Sequence, residues 1–324
     1  MNSYLKYIFL LSLLIILSFS LENYKKTEER KDKFNDYELI KKYLLNDSTL
    51  ARSDKPILWI HITFETNARW WSHFSSRNSK CLNQPYQILT IKSIIDHCGD
   101  SFNICLIDDK SFNKIIPNWS NKIANLPNPL RPHLRELAMA KLLYYYGGMT
   151  IPSSFICLKN LIPLYNKGIS AASLFCGELP SDSIVSTHVD FFPNNKIMGC
   201  QKDCKLMEKY VHFLEKSVSI DYTNEMDFCD ETNKWLYDQV MQKNVMLLDG
   251  TYFGLKTDSN QLVLLDDLLS DDDDFQVSKQ AYGIYIPANK ILTRKNLQWF
   301  ARLNPEQVLN SNTIIARYLL LSNN

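Results

Sequence analysis

The fold of this chain is decided by residues 133–164, HLRELAMAKLLYYYGGMTIPSSFICLKNLIPL. Apolar residues occur on nearly every side of Leu134–Tyr146, and this pattern predicts a helix that is buried on more than one face. The glycine pair Gly147-Gly148 then ends the helix. We expect a short strand at Met149–Ile151 and a turn at Pro152–Ser154.

The segments around this stretch alternate between strand and helix patterns. Ile57–Phe64 and Phe102–Ile107 are apolar runs typical of buried strands, and Gln84–Cys98 carries isoleucines at helical spacing. The alternation predicts an α/β layer fold with a mixed, mainly parallel sheet flanked by helices. Further strands are expected at Ala171–Phe175, Ile184–Thr187, Lys196–Met198, Val245–Leu248 and Tyr252–Leu255. Further helices are expected at Cys204–Val218, Glu225–Gln242, Gln261–Leu269 and Pro305–Leu321.

The sheet edge at which the parallel strands end is the predicted ligand site, because ligands of such sheets bind beyond the carboxyl ends of the strands. This rule brings residues 64–69, Asp108-Asp109 and Ile151–Ser154 into one cleft. Asp108-Asp109 is the best carboxylate pair in the chain. The alternative role for this pair is to cap the short helical segment that follows it.

Composition bounds the function classes. The chain has 324 residues, of which 45% are hydrophobic and 22% charged, as in ordinary globular proteins with a sizeable core. A formal net charge of +1 and the lack of a basic helix argue against a nucleic-acid partner. The eight cysteines permit disulfides without fixing their pairing. Cys200 and Cys204 lack the nearby ligands that a zinc site needs, so we predict no structural metal.

The N-terminal region differs from the rest. Tyr7–Leu21 carries no charged residue; it is short for a membrane span of about 20 residues and reaches the upper limit of a signal-peptide core. We interpret residues 1–21 as a signal-anchor or a signal peptide, with the anchor favoured, residues 22–52 as a charged stem, and residues 53–324 as the folded domain. Either interpretation places the protein at a membrane or within the secretory pathway.

Three segments carry a resemblance to a known family: KPILWIHITF (55–64), FNICLIDD (102–109) and LAMAKLLYYYGGMTIP (137–152). Together they resemble the DxD-type nucleotide-sugar glycosyltransferases of the family-32-like group. That group is related to capsular-polysaccharide enzymes and has relatives in large DNA viruses and protists. The resemblance covers about Pro56–Lys167 and continues more weakly at Asn194–Cys200.

The resemblance implies a GT-A-like fold and a function. A hexose would pass from a nucleotide-diphosphate sugar to a glycan or protein-linked acceptor, on an ER, Golgi or virus-associated membrane, with the catalytic domain in the lumen. In the family, an Asp-x-Asp motif after the YGG element holds Mn²⁺ or Mg²⁺, which neutralises the diphosphate. Here these positions read Pro152-Ser153-Ser154, so the usual metal site lacks its carboxylates. At the position of the family's helix aspartate this chain has Glu136, and at the position of the family's helix arginine it has Met139.

The resemblance also implies roles for individual residues. The side chains placed around the nucleotide sugar are His61, Thr63, Glu65, Asn67, Arg135, Glu136, Ser153 and Ser154. The substitute metal carboxylates are Asp108 and Asp109, and the candidate acids or bases on the acceptor side are Asp190 and Asp227.

Three interpretations stay open at the level of sequence. The protein is a metal-independent enzyme whose cations bind the diphosphate, with Arg131, Arg135 and Lys141 as candidates. Alternatively, it takes metal carboxylates from elsewhere, from Asp108, Asp109 or Asp190. Thirdly, it is a catalytically inactive relative that acts as a glycan-binding or structural protein of a membrane or virion.

Overall fold

The computed structural model describes most of the chain beyond residue 54. The described residues are 55–63, 84–123, 126, 130–180, 191–219, 225–271 and 275–322, without the side chains of 225–230. The chain divides into two compact units, Met1–Leu44 and Leu45–Asn324, and every described residue belongs to the second. The predicted anchor and stem therefore lie outside the described residues. No helix within the described part of the chain is long and apolar enough to cross a membrane.

A six-stranded sheet forms the centre of the fold, and a two-stranded sheet lies beside it. The strands are β1 (Ile57–His61), β2 (Asn103–Ile107), β3 (Gly148–Thr150), β4 (Phe155–Cys157), β5 (Leu174–Pro180), β6 (Phe191–Cys200), β7 (Val245–Leu248) and β8 (Gly283–Tyr285). The longer helices are α1 (Gln87–Cys98), α3 (Leu130–Tyr146), α4 (Ile162–Ala171), α5 (Lys205–Val218), α6 (Glu225–Met241) and α11 (Ile314–Ser322). The shorter helices are α2 (Phe112–Ile115), α7 (Leu265–Leu268), α8 (Ala288–Thr293), α9 (Gln298–Arg302) and α10 (Pro305–Leu309).

The strand order of the large sheet is β2-β1-β3-β6-β5-β7. β1 is parallel to β2 and β3, and β5 is parallel to β7, whereas β6 is antiparallel to both of its neighbours. Every strand except β6 therefore points the same way. The prediction of a mixed, mainly parallel sheet flanked by helices is confirmed.

Two hydrophobic clusters stabilise this arrangement. The first lies between the large sheet and the packed helices α3 and α5. The second joins the small sheet β4–β8 to the C-terminal helices and includes Tyr86 and Phe300. Successive residues of β1 are buried on both faces of the sheet: Trp59 belongs to the first cluster, and Leu58 and Ile60, which point the other way, are buried as well. A central parallel strand covered on both faces has this continuous apolar sequence.

The glycine pair sets the junction between α3 and β3. Gly147 and Gly148 have φ angles of 70° and 98°, which side chains of L-residues rarely adopt. A Cβ atom on Gly148 would also collide with the carbonyl oxygen of Ile57 in β1. The indole Nε1 of Trp59 donates to the Gly147 carbonyl oxygen at 2.9 Å. The chain therefore reverses direction close against β1, and β3 enters the sheet beside it.

Several predicted elements differ in the structure. Tyr252–Leu255 is not a strand: Gly250–Phe253 is a turn of 3₁₀ helix, because the Asp249 side chain accepts from the Thr251 backbone N–H and Gly254 ends the turn at a positive φ. The predicted helix Pro305–Leu321 is divided into α10 and α11. Ala171 ends a helix, and β5 begins at Leu174. The predicted strand Ile184–Thr187 lies outside the described residues.

Candidate functional site

A cavity of about 180 Å³ opens at the carboxyl ends of β1 and β3. It lies between helix α3, the middle of β6 and one side chain of α5. Its apolar lining comes from Met139, Ala140, Leu143, Ile151, Pro152 and Met198. Its polar lining comes from His61, Arg135, Glu136, Thr150, Asn195, Lys196 and Tyr210. The cavity is thus an apolar pocket with charged and hydrogen-bonding groups placed on it, as small-molecule sites commonly are.

Asp109 lies beside this cavity and contacts two basic residues that line it. Its Oδ1 atom accepts from the Nε of Arg135 at 2.8 Å and lies 3.0 Å from the Nε2 of His61. Its Oδ2 atom accepts from a terminal guanidinium nitrogen of Arg135, also at 2.8 Å. The arginine therefore holds the carboxylate by two parallel hydrogen bonds, the strongest common geometry for such a pair.

The sheet and one helix position this group. His61 is the last residue of β1, Asp109 follows β2 two residues after its end, and Arg135 is in the second turn of α3. The His61 ring also stacks on the Phe112 ring, with centroids 5.3 Å apart and planes inclined by 13°. Because β1 and β2 are parallel neighbours, their carboxyl ends bring the first two residues together. This contact makes Asp109 a link between the sheet and the helix.

The environment shifts the acidity of Asp109. Burial of the carboxyl would raise its pKa, but the hydrogen bonds and positive charges of His61 and Arg135 outweigh this effect. The pKa of Asp109 therefore lies well below its usual range, and the group carries its negative charge at any physiological pH. The negative charge of Asp109 thus balances the positive charge of Arg135.

Asp108, the other member of the predicted pair, has a different role in the structure. Its Oδ1 atom accepts from the backbone N–H groups of Lys110 and Ser111 at 3.1 and 2.9 Å. It also accepts from the Ser111 hydroxyl at 2.6 Å. These are the contacts of a residue that caps the turn before α2, the alternative that the sequence left open.

Ser153 and Ser154 stand where the Asp-x-Asp motif of the resembled family would lie, and both form hydrogen bonds to other segments of the protein. The Ser154 hydroxyl is buried and donates to the Ile286 carbonyl oxygen at 2.7 Å. The Ser153 hydroxyl donates to the Oε1 of Gln87 in α1 at 3.0 Å. Pro152 alone of the three lines the cavity. The serines thus join β3 to α1 and the segment after β8, and neither lines the cavity.

The described residues do not fit a divalent cation in this cavity. Nowhere in the described part of the chain do three or more histidine, cysteine, aspartate or glutamate side chains come together in a way that could hold a metal ion. Both oxygen atoms of Asp109 already accept from Arg135, and a guanidinium beside a carboxylate repels a second cation. Serine hydroxyls without a neighbouring carboxylate are poor ligands for Mg²⁺ or Mn²⁺.

Two cationic side chains line the cavity from opposite elements: Arg135 from α3 and Lys196 from β6. Asn195, the residue before Lys196, donates its side-chain N–H to the Tyr210 hydroxyl at 3.1 Å, and Tyr210 is buried. Sequence analysis predicted no role for Asn195, Lys196 or Tyr210. The available signal was the weak resemblance at Asn194–Cys200, which marked a strand without showing which side chains reach the cavity.

The predicted site residues are therefore placed as follows. His61, Arg135 and Glu136 line the cavity, and Asp109 contacts the first two. Thr63 follows β1 and does not line the cavity. Asp227 belongs to α6, and its side chain lies outside the described part. Glu65, Asn67 and Asp190 also lie outside the described residues. Lys141, a candidate cation, forms a 2.7 Å ion pair with Glu215 of α5 instead of lining this cavity.

A second charged group lies at the same edge of the sheet, at the ends of β5 and β7. The Nζ atom of buried Lys256 forms an ion pair with Glu178 near the end of β5. The Asp249 carboxylate after β7 lies 3.5 Å from the same Nζ. The Oε2 atom of Glu178 also accepts from the Gly250 backbone N–H at 2.9 Å. Sequence patterns did not reveal this group, because its members are up to 78 residues apart.

Comparison with known proteins gives likeness in structure alone. No family model matches the chain, and no curated protein matches it. Mouse xyloside xylosyltransferase 1 in its apo form is similar with a TM-score of 0.39 and 10% identity over 72% of this chain and 98% of that one. Galactosyltransferase LgtC, in complex with donor and acceptor sugar analogues, is similar with a TM-score of 0.37 and 11% identity; the match covers 82% of this chain and 95% of that one. The glycosyltransferase GlyE of Streptococcus pneumoniae TIGR4 is similar with a TM-score of 0.32 and 11% identity; the match covers 62% of this chain and 46% of that one.

Proposed function

We propose that this protein is a GT-A-like glycosyltransferase that binds a nucleotide-diphosphate sugar in the cavity beside β1 and β3 and neutralises the diphosphate without a divalent cation. The observation that carries the proposal is the use of Asp109. The Asp109 carboxylate beside the cavity is bound by Arg135 and His61 and is not available to a cation, while Lys196 brings a positive charge to the same space. The sequence resemblance supplies the reaction class.

The proposed reaction transfers a hexose to a hydroxyl of a glycan or protein-linked acceptor. The acceptor oxygen forms the new bond to the anomeric carbon, and the bond from that carbon to the diphosphate breaks. The leaving nucleoside diphosphate keeps the electron pair, so negative charge grows on its phosphate oxygens. Guanidinium and ammonium groups that are already in position stabilise such charge. Lys196 is the residue for this role, because the charge of Arg135 is already balanced by Asp109.

The remaining polar residues of the cavity suit a sugar ring. Glu136, Asn195 and Tyr210 carry carboxylate, amide and hydroxyl groups that pair with sugar hydroxyls. Apolar side chains such as Met139 and Met198 give the ring a surface to pack against. Among the described residues the cavity holds about 180 Å³, less than whole ligand pockets of about 300–1,000 Å³. We therefore assign it to the hexose and the phosphate beside it.

The acceptor side and the cellular location remain proposals of the same kind. Asp190 is our candidate base because it directly precedes β6, the strand that carries Asn195 and Lys196. Asp227 is the second candidate. The uncharged run Tyr7–Leu21 supports a membrane of the secretory pathway or a virus-associated membrane.

Nucleotide binding by a matched pair of variants tests the proposal. Calorimetric titration of the full-length chain with UDP, GDP and CDP should show binding of at least one nucleotide. Lys196→Ala should weaken it roughly ten- to hundred-fold, since a hydrogen bond to a charged group contributes about 1.5–3 kcal/mol. Lys209→Ala, which removes an exposed lysine beside Tyr210 on α5, should leave it unchanged. Equal weakening by both variants, or no binding in a folded wild type, would overturn the proposal in favour of an inactive scaffold.

A further inference from the structure

Two cysteine side chains far apart in the sequence meet where α1 packs against β4. The sulfur atoms of Cys98, the last residue of α1, and Cys157, the last residue of β4, are 3.7 Å apart. Both residues are completely buried, and both are free thiols in this structure. They lie 59 residues apart in the chain. Their contact is therefore a product of the tertiary fold.

Hydrogen bonds fix the backbone on both sides of this contact. The Cys98 carbonyl oxygen accepts from the backbone N–H groups of Ser101 and Phe102 at 3.0 and 2.9 Å. The Cys157 N–H donates to the Ser93 hydroxyl at 2.9 Å, and its carbonyl oxygen accepts from the Ser322 hydroxyl at 2.6 Å. Helices α1 and α11 thus hold the end of β4 from two directions. The two sulfur atoms are kept together without any covalent link.

We propose that Cys98 and Cys157 are joined by a disulfide bond when the chain folds in an oxidising compartment. The sulfur atoms need to approach by less than 2 Å to reach the bond length of about 2.05 Å. Side-chain rotation at two neighbouring residues provides movement of this size. The N-terminal sequence predicts entry into such a compartment, where disulfides form and persist.

The chemistry is thiol–disulfide exchange with a protein disulfide or glutathione disulfide as the oxidant. The Cys98 thiolate attacks that disulfide and displaces one thiolate, and the Cys157 thiolate then attacks the Cys98 sulfur and displaces the second. Two electrons pass to the oxidant, and the two protons of the cysteine thiols end on its sulfur atoms. Both thiols are completely buried in the folded protein, so the exchange takes place during folding, while the oxidant can still reach them; the balance of bonds and electrons is the same if Cys157 attacks first.

Cys200 and Cys204 form the other interacting pair among the described cysteines. Each of these sulfur atoms also donates to a carbonyl oxygen of another segment, that of Leu143 or Ser173, at 3.4 Å. A bond between them would close a loop of a few residues and constrain the unfolded chain very little. A bond between Cys98 and Cys157 closes a much longer loop, and the stabilisation by a disulfide increases with loop length.

Peptide mapping without reductant tests the proposal. The full-length chain is unfolded in urea and refolded by dilution into glutathione buffers of increasing oxidising strength, then alkylated and digested with trypsin. Cys98 falls in the peptide 93–110 together with Cys105, and Cys157 falls in the peptide 142–159. Cys105→Ala therefore makes the assignment unique and is the matched control, because Cys105 is also buried.

We expect a cross-linked pair of these two peptides in the wild type and in Cys105→Ala, and its loss after reduction. Oxidation should raise the Tm of both proteins by several degrees. The same oxidation should not raise the Tm of Cys157→Ala. If this variant fails to fold, the peptide map of Cys105→Ala decides alone. Alkylation of Cys98 and Cys157 in the most oxidising buffer, or a bond from Cys98 to another cysteine, would overturn the proposal.

Discussion

At the residue scale, two adjacent aspartates show how neighbouring identical side chains acquire different roles. Asp108 accepts hydrogen bonds from its own segment and caps a turn, while Asp109 binds Arg135 of α3, 26 residues later in the chain. The sequence identified the pair and both possible uses for it. It did not show which residue serves which use, because that depends on the direction in which each side chain leaves the end of β2.

Asp109→Asn should lower the free energy of unfolding at pH 7 by about 2 kcal/mol, because it leaves the largely buried Arg135 without its counter-charge. The folded pKa of Asp109 is depressed below the unfolded value of about 3.9, so its stabilisation is complete above that pH and is lost as the pH falls toward the folded pKa. The difference in free energy of unfolding between the wild type and Asp109→Asn should therefore decrease by about 1 kcal/mol from pH 7 to pH 3.

Urea unfolding at both pH values measures this gap. Asp108→Asn is the matched control, since an amide oxygen can still accept from Lys110 and Ser111 and stability at pH 7 should stay near that of the wild type. Equal stability of the two variants at pH 7 would show that the ion pair of Asp109 does not stabilise the fold.

At the element scale, the helix–glycine–strand junction was largely predictable. The apolar pattern predicted α3, and the glycine pair predicted its end. The structure begins α3 at Leu130, four residues before the predicted start, with Pro132 in the first turn, where its missing N–H costs no helical hydrogen bond. The strands β4 and β8 were not predicted. Each has three residues, too few to show a periodic pattern, and they pair across more than 120 residues of chain.

Gly148→Ala should destabilise the protein by more than 3 kcal/mol or prevent its folding. The substitution places a Cβ against the Ile57 carbonyl oxygen and strains a positive φ angle, so β3 cannot pair with β1. Gly250→Ala is the control: its Cβ would have no neighbour closer than 3.4 Å, and its cost should stay below about 1 kcal/mol. Urea unfolding compares the two, and a Gly148→Ala protein as stable as the control would contradict this account of the junction.

The ion pair of Lys256 connects β5 to the loop after β7. Lys256→Ala should destabilise the protein by about 3 kcal/mol, because it leaves the largely buried Glu178 without its counter-charge and removes contact with the Phe191 ring. Lys209→Ala removes a lysine of the same charge from an exposed position and should cost less than about 0.5 kcal/mol. Chemical denaturation of both variants measures the difference, and similar midpoints would refute a stabilising role for the pair.

At the scale of the whole molecule, the sequence predicted the layers and the edge of the sheet where the site lies. Alternating strands and helices imply a parallel sheet, and the ends of β1 and β3 imply a cleft between them. The contacts that give the cavity its character were not predictable. The Arg135 side chain pairs across to Asp109, Ser153 and Ser154 turn inward, and Lys196 enters from an antiparallel strand; each depends on packing between distant segments.

The most direct measurement is the affinity of the full-length chain for UDP, GDP and CDP, determined by calorimetry with a chelator and again with saturating Mn²⁺. At least one nucleotide should bind with the chelator present, and its Kd should change less than about threefold when Mn²⁺ replaces the chelator, a difference below about 1 kcal/mol in binding free energy. Binding that appears only with Mn²⁺ would contradict the claim that Lys196 takes the place of a metal ion.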